Sequence, residues 1–374
     1  MISKQDLERV LSRTSNGGKV LSLFLDMSVN SDNKRTHNVF LNQRRAQFAE
    51  LDSQRNEVSQ DAVGEAFSRI NEWLATEYRE ENRGVVIYTE LGGEWFEALQ
   101  FPVAVQNRLT INHKPSVRPL AQVLESYHHH GVVLLDREHL RILSIYLGTL
   151  LDQIEVNPDP IPTAHDVQAG GYSQMRFQRR KLEEMKHFFK DFAKHVEDFV
   201  NRHRPHDLVL LGTNENVAQF REFLSEPIQQ KIIYTGPARV DESTSEVIAR
   251  IEPHLQAEHE RENQELLMAL RDRVRQDYLA TAGFQSTLTA LQEGKVDRVV
   301  LAQDQERDGA RCTTCGFVFA REVGTCPYDG SPTEEGVDVI EEVIRLAESQ
   351  GAEVQFVSAG EVGDLAGIGA LLRF

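Results

Sequence analysis

The chain has 374 residues, with 41 Lys+Arg against 58 Asp+Glu, a formal net charge of -17. At roughly 150 residues per domain this length predicts two to three domains, and 40% hydrophobic beside 26% charged residues excludes disorder along the whole chain. No apolar run approaches the ~20 residues of a membrane helix, the start (MISKQDLERVLSR) lacks the apolar core of a secretory signal, and the three cysteines, an odd number within one short stretch, argue against a disulfide framework; the expectation is a cytoplasmic protein with no membrane partner.

Elements are predicted in chain order as follows. Lys19–Asp26 reads as a buried strand, followed by a polar loop over 28–36 and helices over about 38–51 and 61–78. Strands are expected at 84–89 and 95–103, around a Leu91-Gly92-Gly93-Glu94 turn. That turn has no Lys-Ser/Thr after it and is not a phosphate-binding loop. Near Lys114-Pro115 a second segment begins, with a helix at 122–127 and strands at 131–136 and 140–146. Prolines 158, 160 and 162 then impose a stiff, non-helical stretch. It leads into Gly170-Gly171-Tyr172-Ser173-Gln174 and a long helix over about 175–202. Strands at 208–212 and 231–234 complete an α/β alternation, which predicts a mostly parallel, doubly wound central sheet. Pro253 is expected to split the helical stretch 241–281. A third α/β segment holds a helix at 284–292, a strand at 298–302, a cysteine insert over 309–332, a helix at 338–349 and a strand at 353–357. The predicted domains are therefore 1–112, 113–240 and 241–374. The consecutive His128, His129 and His130 are expected to face different directions and so not to share a ligand. Leu255, Leu266, Leu267, Leu270, Val274 and Tyr278 are expected to face the core.

Charge is unevenly spread. Between Glu322 and Asp364 eleven acids stand against Arg345 alone, which accounts for -10 of the total. From Arg176 to His195, seven bases (Arg176, Arg179, Arg180, Lys181, Lys186, Lys190, Lys194) outnumber Glu183, Glu184 and Asp191. Global acidity argues against nucleic acid, but this stripe restores it for one surface. Two adjacent glycines allow positive φ and close backbone approach to a ligand. With Arg176, Arg179 and Arg180 behind them on one helix face, they suit insertion beside phosphate-rich RNA. The residues alone also fit a loop followed by a solvated basic face, the reading they favour before any family likeness is considered.

Gly170-Gly171-Tyr172-Ser173-Gln174-Met175-Arg176-Phe177-Gln178-Arg179-Arg180 resembles the GGQ loop of the archaeal and eukaryotic class-I peptide chain release factors, and Lys181–His195 continues that likeness. The strand pair 131–136 and 141–147, the run Thr287–Asp297 with Val299–Ala302, and the ending Gly367-Ile368-Gly369-Ala370-Leu371-Leu372-Arg373-Phe374 are similar to the same family in order. The resemblance covers about residues 115–374 and is weak before that. It implies a three-domain architecture: a decoding-like α/β domain, a doubly wound central domain bearing the loop, and a C-terminal domain like ribosomal proteins that bind kinked RNA. It also implies binding to the ribosomal A site and rRNA, with the loop helping water attack the peptidyl-tRNA ester.

The family's Gln position here holds Tyr172. Gln174 gives Gly171-x-x-Gln174, a spelling similar to a branch that hydrolyses peptidyl-tRNA on stalled ribosomes. Gly170, Gly171, Tyr172 (through its N–H) and Gln174 are the expected catalytic group, and Arg176, Arg179, Arg180 and Lys181 the expected RNA contacts. The alternative is a domain that has lost catalysis and occupies the A site of idle ribosomes. A weaker third reading is an adaptor for a translational GTPase. The family's stop-codon signature has no counterpart beyond Ser31-Asp32-Asn33-Lys34-Arg35, read as a solvated loop, so the expected role involves no codon choice.

Cys312-Thr313-Thr314-Cys315-Gly316 and Cys326-Pro327-Tyr328-Asp329-Gly330 form two knuckles, C-x2-C and C-x2-D. Tetrahedral Zn2+ takes four such ligands. Cys312, Cys315, Cys326 and Asp329 therefore predict a structural zinc ribbon, or a relic of one whose turn is held by Asp329 hydrogen bonds.

Overall fold

The computed structural model describes residues 4–13, 18–30, 34–55, 59–156 and 172–374. The chain forms two compact units, one of residues up to 126 together with 261–374, the other of 127–260.

The first part of the chain runs α1 (Lys4–Leu11), β1 (Val20–Asp26), α2 (His37–Arg55), α3 (Gln60–Thr76), β2 (Gly84–Glu90), β3 (Phe96–Phe101), β4 (Arg108–Asn112) and α4 (Arg118–Ser126). The strands form an antiparallel sheet in the order β3-β2-β1-β4. Leu21, Leu23 and Leu25 alternate along β1 onto one face, where Ala66, Phe67 and Ile70 of α3 cover them at i, i+1, i+4 spacing. The opposite face carries Phe24 and Tyr88 edge to face, their centroids 6.1 Å apart, and Tyr88 Oη donates to the Ser116 carbonyl at 2.9 Å. Arg35, expected in a solvated loop, instead donates to the Met27 and Glu80 carbonyls at 3.1 and 3.0 Å; residues 31–33 beside it lie outside the described residues.

The central unit continues with β5 (His130–Leu135), β6 (Leu140–Tyr146), β7 (Thr149–Val156), α5 (Tyr172–His203), β8 (Asp207–Gly212), α6 (Asn214–Arg221), α7 (Glu226–Gln230), β9 (Ile232–Gly236) and the first half of α8 (Thr244–Arg275). Sheet order is β7-β6-β5-β8-β9. Only β5, β8 and β9 are parallel; β6 and β7 add an antiparallel hairpin, so the sheet is mixed rather than mostly parallel. The strand β7 escapes sequence reading because its side chains are mostly half-buried or exposed, as on a polar edge. Both faces of the parallel core are covered. Val133, Leu135, Leu208 and Leu210 pack under α5, whereas Val132, Leu134, Val209 and Leu211 pack under Val247 and Ile251 of α8.

Pro253 does not split α8. Proline removes the bond that the carbonyl four residues back would accept, and Ala249 is exposed, where water replaces it.

The last part comprises the second half of α8, β10 (Ala280–Ala282), α9 (Phe284–Gln292), β11 (Val296–Ala302), β12 (Asp308–Cys312), β13 (Val318–Phe319), β14 (Thr333–Asp338), α10 (Val339–Ser349), β15 (Glu353–Val357), a 3-10 turn (Ala359–Leu365) and β16 (Ile368–Leu372). Strand order is β10-β16-β11-β15, with only the β11/β15 pair parallel. Leu266, Leu267 and Leu270 are buried against it as expected, but Tyr278 is exposed, just past the end of α8. A separate three-stranded antiparallel sheet, β13-β12-β14, carries the cysteines. Asp338 caps α10, accepting from Ile340 and Glu341 N–H at 3.0 and 3.1 Å.

Residues 113–126 pack in the first unit. Three charged side chains of that unit, Arg118 and Glu341 buried and Arg345 half-buried, fasten them. Glu341 accepts from the Ser116 hydroxyl and from the Val117 and Arg118 N–H groups at 2.8 and 3.3 Å. Arg118 donates to the Gln305 carbonyl at 2.7 Å and to that of Gln303, and Arg345 donates to the Pro115 carbonyl. Side-chain recognition across more than 180 residues leaves no local pattern in the sequence.

Candidate functional site

Helix α5 is the element that positions the expected site. Met185, Phe189, Phe192, Val196 and Phe199 recur at intervals of four and three and bury one stripe against the sheet. Phe189 meets Phe220 of α6 edge to face at 5.5 Å. The opposite side is polar, with Lys186, Lys190 and Lys194 exposed. Lys186 lies 3.5 Å from Glu183 and Lys194 3.9 Å from Asp191, loose pairs that leave the ammonium groups available to other anions.

The helix begins at Tyr172, three residues earlier than expected. Residues 172–174 therefore form its first turn, where backbone N–H groups have no intrahelical acceptor and the dipole is positive. Gly170 and Gly171 lie outside the described residues, as do the prolines before them. The backbone at Tyr172, Gln174, Arg176, Arg179, Arg180 and Lys181 is helical, and the last four of these fall within two turns of one continuous helix.

The second predicted group does come together. Ligand atoms of Cys312, Cys315, Cys326 and Asp329 all lie within 4.8 Å of one another. Cys315 Sγ is 3.8 Å from Cys326 Sγ, and Cys312 Sγ is 3.4 Å from the nearer Asp329 oxygen. With Zn–S of about 2.3 Å and Zn–O of about 2.0 Å, tetrahedral geometry sets these separations at about 3.8 and 3.5 Å. Each knuckle turns through a positive-φ glycine, Gly316 at 76° and Gly330 at 74°. These turns bring backbone N–H groups onto the donors. Thr314 and Cys315 N–H reach Cys312 Sγ at 3.4 and 3.3 Å, and Ser331 N–H reaches Asp329 at 2.9 Å.

The electrostatics match a cation. The Ser331 N–H holds the Asp329 carboxyl down at about 2, against a smaller opposing effect of desolvation. Desolvation opposes ionisation of Cys312, but the Cys315 and Thr314 N–H groups outweigh it and its thiol lies below the usual range. Cys315 accepts help from the Phe317 N–H, yet its crowded neighbours Cys312, Cys326 and Asp329 push it up to about 11. Donors that resist sharing one another's negative charge are relieved by a divalent ion.

Consecutive rings of the histidine run face different sides, as expected. His129 turns away, its Nδ1 3.0 Å from the His203 carbonyl and its Nε2 2.7 Å from Ser144 Oγ. His128 and His130, two residues apart on an extended segment, share the other side. His130 pairs in register with Asp207 on β8. The period of two is legible in the sequence; the acid and histidine on the partner strand are not.

Residues 115–256 match the family described as Bacterial archaeo-eukaryotic release factor family 10, and residues 261–374 match eRF1 domain 3. The chain is 24% identical over 290 residues to Peptide chain release factor subunit 1 of Thermococcus kodakarensis and 26% identical over 279 residues to that of Archaeoglobus fulgidus. Each alignment covers 68% of this chain and 68% of the relative. Among solved structures, S. cerevisiae Dom34, a translation termination-like factor, aligns at 10% identity over 80% of this chain and 81% of its own, with a TM-score of 0.43. That overlap is too loose to add to the sequence matches. No helix among the described residues is long and apolar enough to cross a membrane.

Proposed function

We propose that this chain, which belongs to the archaeal and eukaryotic peptide chain release factor superfamily, is a cytoplasmic factor that binds the ribosomal A site and hydrolyses peptidyl-tRNA on stalled ribosomes without codon choice. The observation that carries this reading is α5. A helix of 32 residues, about 48 Å long at 1.5 Å per residue, starts directly after a Gly-Gly pair and displays lysines along its solvent side. Its buried stripe roots it in the sheet, so its free end can probe a narrow, phosphate-lined space. Gly170 and Gly171 shape the tip, the 172 N–H or the Gln174 amide orients water, and Arg176, Arg179, Arg180 and Lys181 meet rRNA phosphates. The chemistry asked of the protein is modest: an activated ester needs a positioned water and a dipole aimed at the developing oxyanion. Tyr172, standing where the family has Gln, favours one alternative, a non-catalytic factor that occupies the A site during ribosome hibernation. Peptide release from stalled ribosome complexes separates the two. A translational GTPase is a further partner class suggested by the C-terminal match alone.

Ribosome association is tested by co-sedimentation at graded salt. Replacing Lys186, Lys190 and Lys194 together by Glu should weaken binding and flatten the log-log salt dependence by up to about three, close to one for each phosphate that a lysine no longer neutralises. Unchanged affinity and slope would remove α5 as the RNA-facing surface.

We further infer that Cys312, Cys315, Cys326 and Asp329 hold a structural Zn2+ that folds the β13-β12-β14 insert as a zinc ribbon. All four positions are protein donors, which leaves no open site for catalysis. In native protein the three thiols should resist a thiol-specific reagent until a strong chelator is added, and then react. Equal reactivity before and after chelation speaks for the metal-free relic.

A further inference from the structure

A second cluster of metal-type donors lies in the central unit, at the N-terminal ends of β5 and β8. Ligand atoms of His128, His206 and Asp207 lie within 4.8 Å of one another. The rings of His128 and His206 are 4.3 Å apart between centroids, and His206 Nδ1 is 3.0 Å from Asp207 Oδ1. The other carboxylate oxygen of Asp207 is 3.3 Å from His130 Nδ1. His259, near the middle of α8, stands edge-on to His128 at 6.0 Å. Three imidazoles, those of His128, His130 and His206, thus surround one carboxylate, with His259 beside His128, and Asp207 is buried.

The placement follows from the backbone. Strands β5 and β8 are parallel neighbours with His130 opposite Asp207, and the His206 N–H donates to the His129 carbonyl at 2.7 Å. The ladder therefore fixes where both strands begin, and the alternation of side chains turns His128 and His130 to the side that Asp207 faces. None of these residues belongs to the Gly-Gly turn or to the cysteine insert.

We propose that His128, His206 and Asp207 bind a divalent transition-metal ion, Zn2+ by donor type, with His130 holding the Asp207 carboxylate from behind. Two imidazoles and a carboxylate form a donor set suited to Zn2+, Co2+, Ni2+ or Cu2+ and unsuited to Mg2+ or Ca2+. Tetrahedral coordination needs neighbouring donors about 3.3–3.5 Å apart, and a rotation of the His128 or His206 ring closes the remaining gap. The protonation states already suit a ligand set. Burial opposes ionisation of Asp207, but the adjacent His130 and His206 rings hold it far below the ordinary carboxylate range. Burial, with the neighbouring His206, His130 and His259, draws His128 down to about 4, so its imidazole is neutral and carries a free lone pair at pH 7. A carboxylate bound on one oxygen and held on the other by His130 has the outer support that metal ligands require. Three protein donors leave one position for water or an anion. Such an ion would clip the two strands together four residues after α5 ends, at the root of the helix whose far end begins at Tyr172.

The test is metal titration of the full-length protein at pH 7.5 with Co2+ and Zn2+ alone. Cobalt at the cysteine set produces intense thiolate charge-transfer absorption; at a His/Asp set it produces only weaker visible bands. Wild-type protein should bind one equivalent that lacks thiolate absorption. In His128→Ala and in Asp207→Asn that equivalent should be lost, or weakened at least tenfold, with the thiolate bands unchanged. His128→Gln, at a half-exposed position, guards against a folding artefact, because its circular dichroism should match wild type while the same equivalent disappears. Binding of that equivalent with unaltered affinity in His128→Gln, or its absence from wild type, overturns the proposal and leaves a histidine-carboxylate hydrogen-bond cluster.

Discussion

Glu341→Ala is expected to destabilise the first unit by about 3 kcal/mol, because the substitution strands several buried donors at once. The carboxylate accepts from the Ser116 hydroxyl and from the Val117 and Arg118 N–H groups. Ser116, Val117 and Arg118 are all buried, so water does not readily replace the lost acceptor. The Arg118 N–H is also the first of α4, a position with no intrahelical partner of its own. Glu341→Gln keeps one oxygen but sets an amide N–H against a donor, and should cost roughly half as much. Burial raises the Glu341 carboxyl above its ordinary range despite the Ser116 and Val117 bonds. Its folded-state value therefore exceeds the unfolded one. Its contribution is fully present below the unfolded carboxylate range and falls as pH rises through the raised folded value. Glu341→Gln should remove that slope. The two tryptophans, Trp73 and Trp95, both belong to the first unit, so denaturation followed by their fluorescence reads this unit alone. Glu335→Ala, at an exposed position, is the control and should stay within about 0.5 kcal/mol of wild type. Equal transitions for Glu341→Ala and Glu335→Ala would refute the fastening role.

Local patterns and distant contacts divide what is legible in the sequence from what is not. The stripe Met185, Phe189, Phe192, Val196, Phe199 announces α5 because helical period and burial coincide. The runs at Val20–Leu25 and Val132–Leu135 announce strands because both of their faces are buried. The cysteine knuckles are legible for another reason: short-range spacing and a positive-φ glycine dictate each turn, and pairing of the flanking β12 and β14 brings Cys312, Cys315, Cys326 and Asp329 together. The polar edge strand β7 offers no apolar run to find. The attachment of residues 115–118 depends on Glu341 and Arg345, and the meeting of His128 with His206 depends on strand pairing across some 75 residues. Neither leaves a local signature. Pro253 misleads in the opposite direction, since a helix-breaking residue is tolerated where the freed carbonyl faces water.

Gln174→Ala is expected to lower peptide release from stalled ribosome complexes by about 100-fold, the scale on which a single donor to a developing oxyanion acts. The beginning of α5 at Tyr172 makes this experiment more discriminating than the sequence alone allows. Two groups compete for the role of orienting water, the Gln174 amide and the backbone N–H of residue 172. Tyr172→Pro removes the second and not the helix, because proline is well accommodated at the first helical position, where the missing N–H had no intrahelical partner. Ser173→Ala removes a hydroxyl from the same turn without touching either group and should release peptide as wild type does. Loss with Gln174→Ala alone assigns the side chain. Loss with Tyr172→Pro alone assigns the backbone, and makes the tyrosine in the family's glutamine position chemically neutral. If wild-type protein binds the ribosome with the expected salt dependence and releases nothing, the hydrolytic reading fails. The same helix would then act as a plug, its basic side still meeting phosphate while the tip fills the space a peptidyl ester would need.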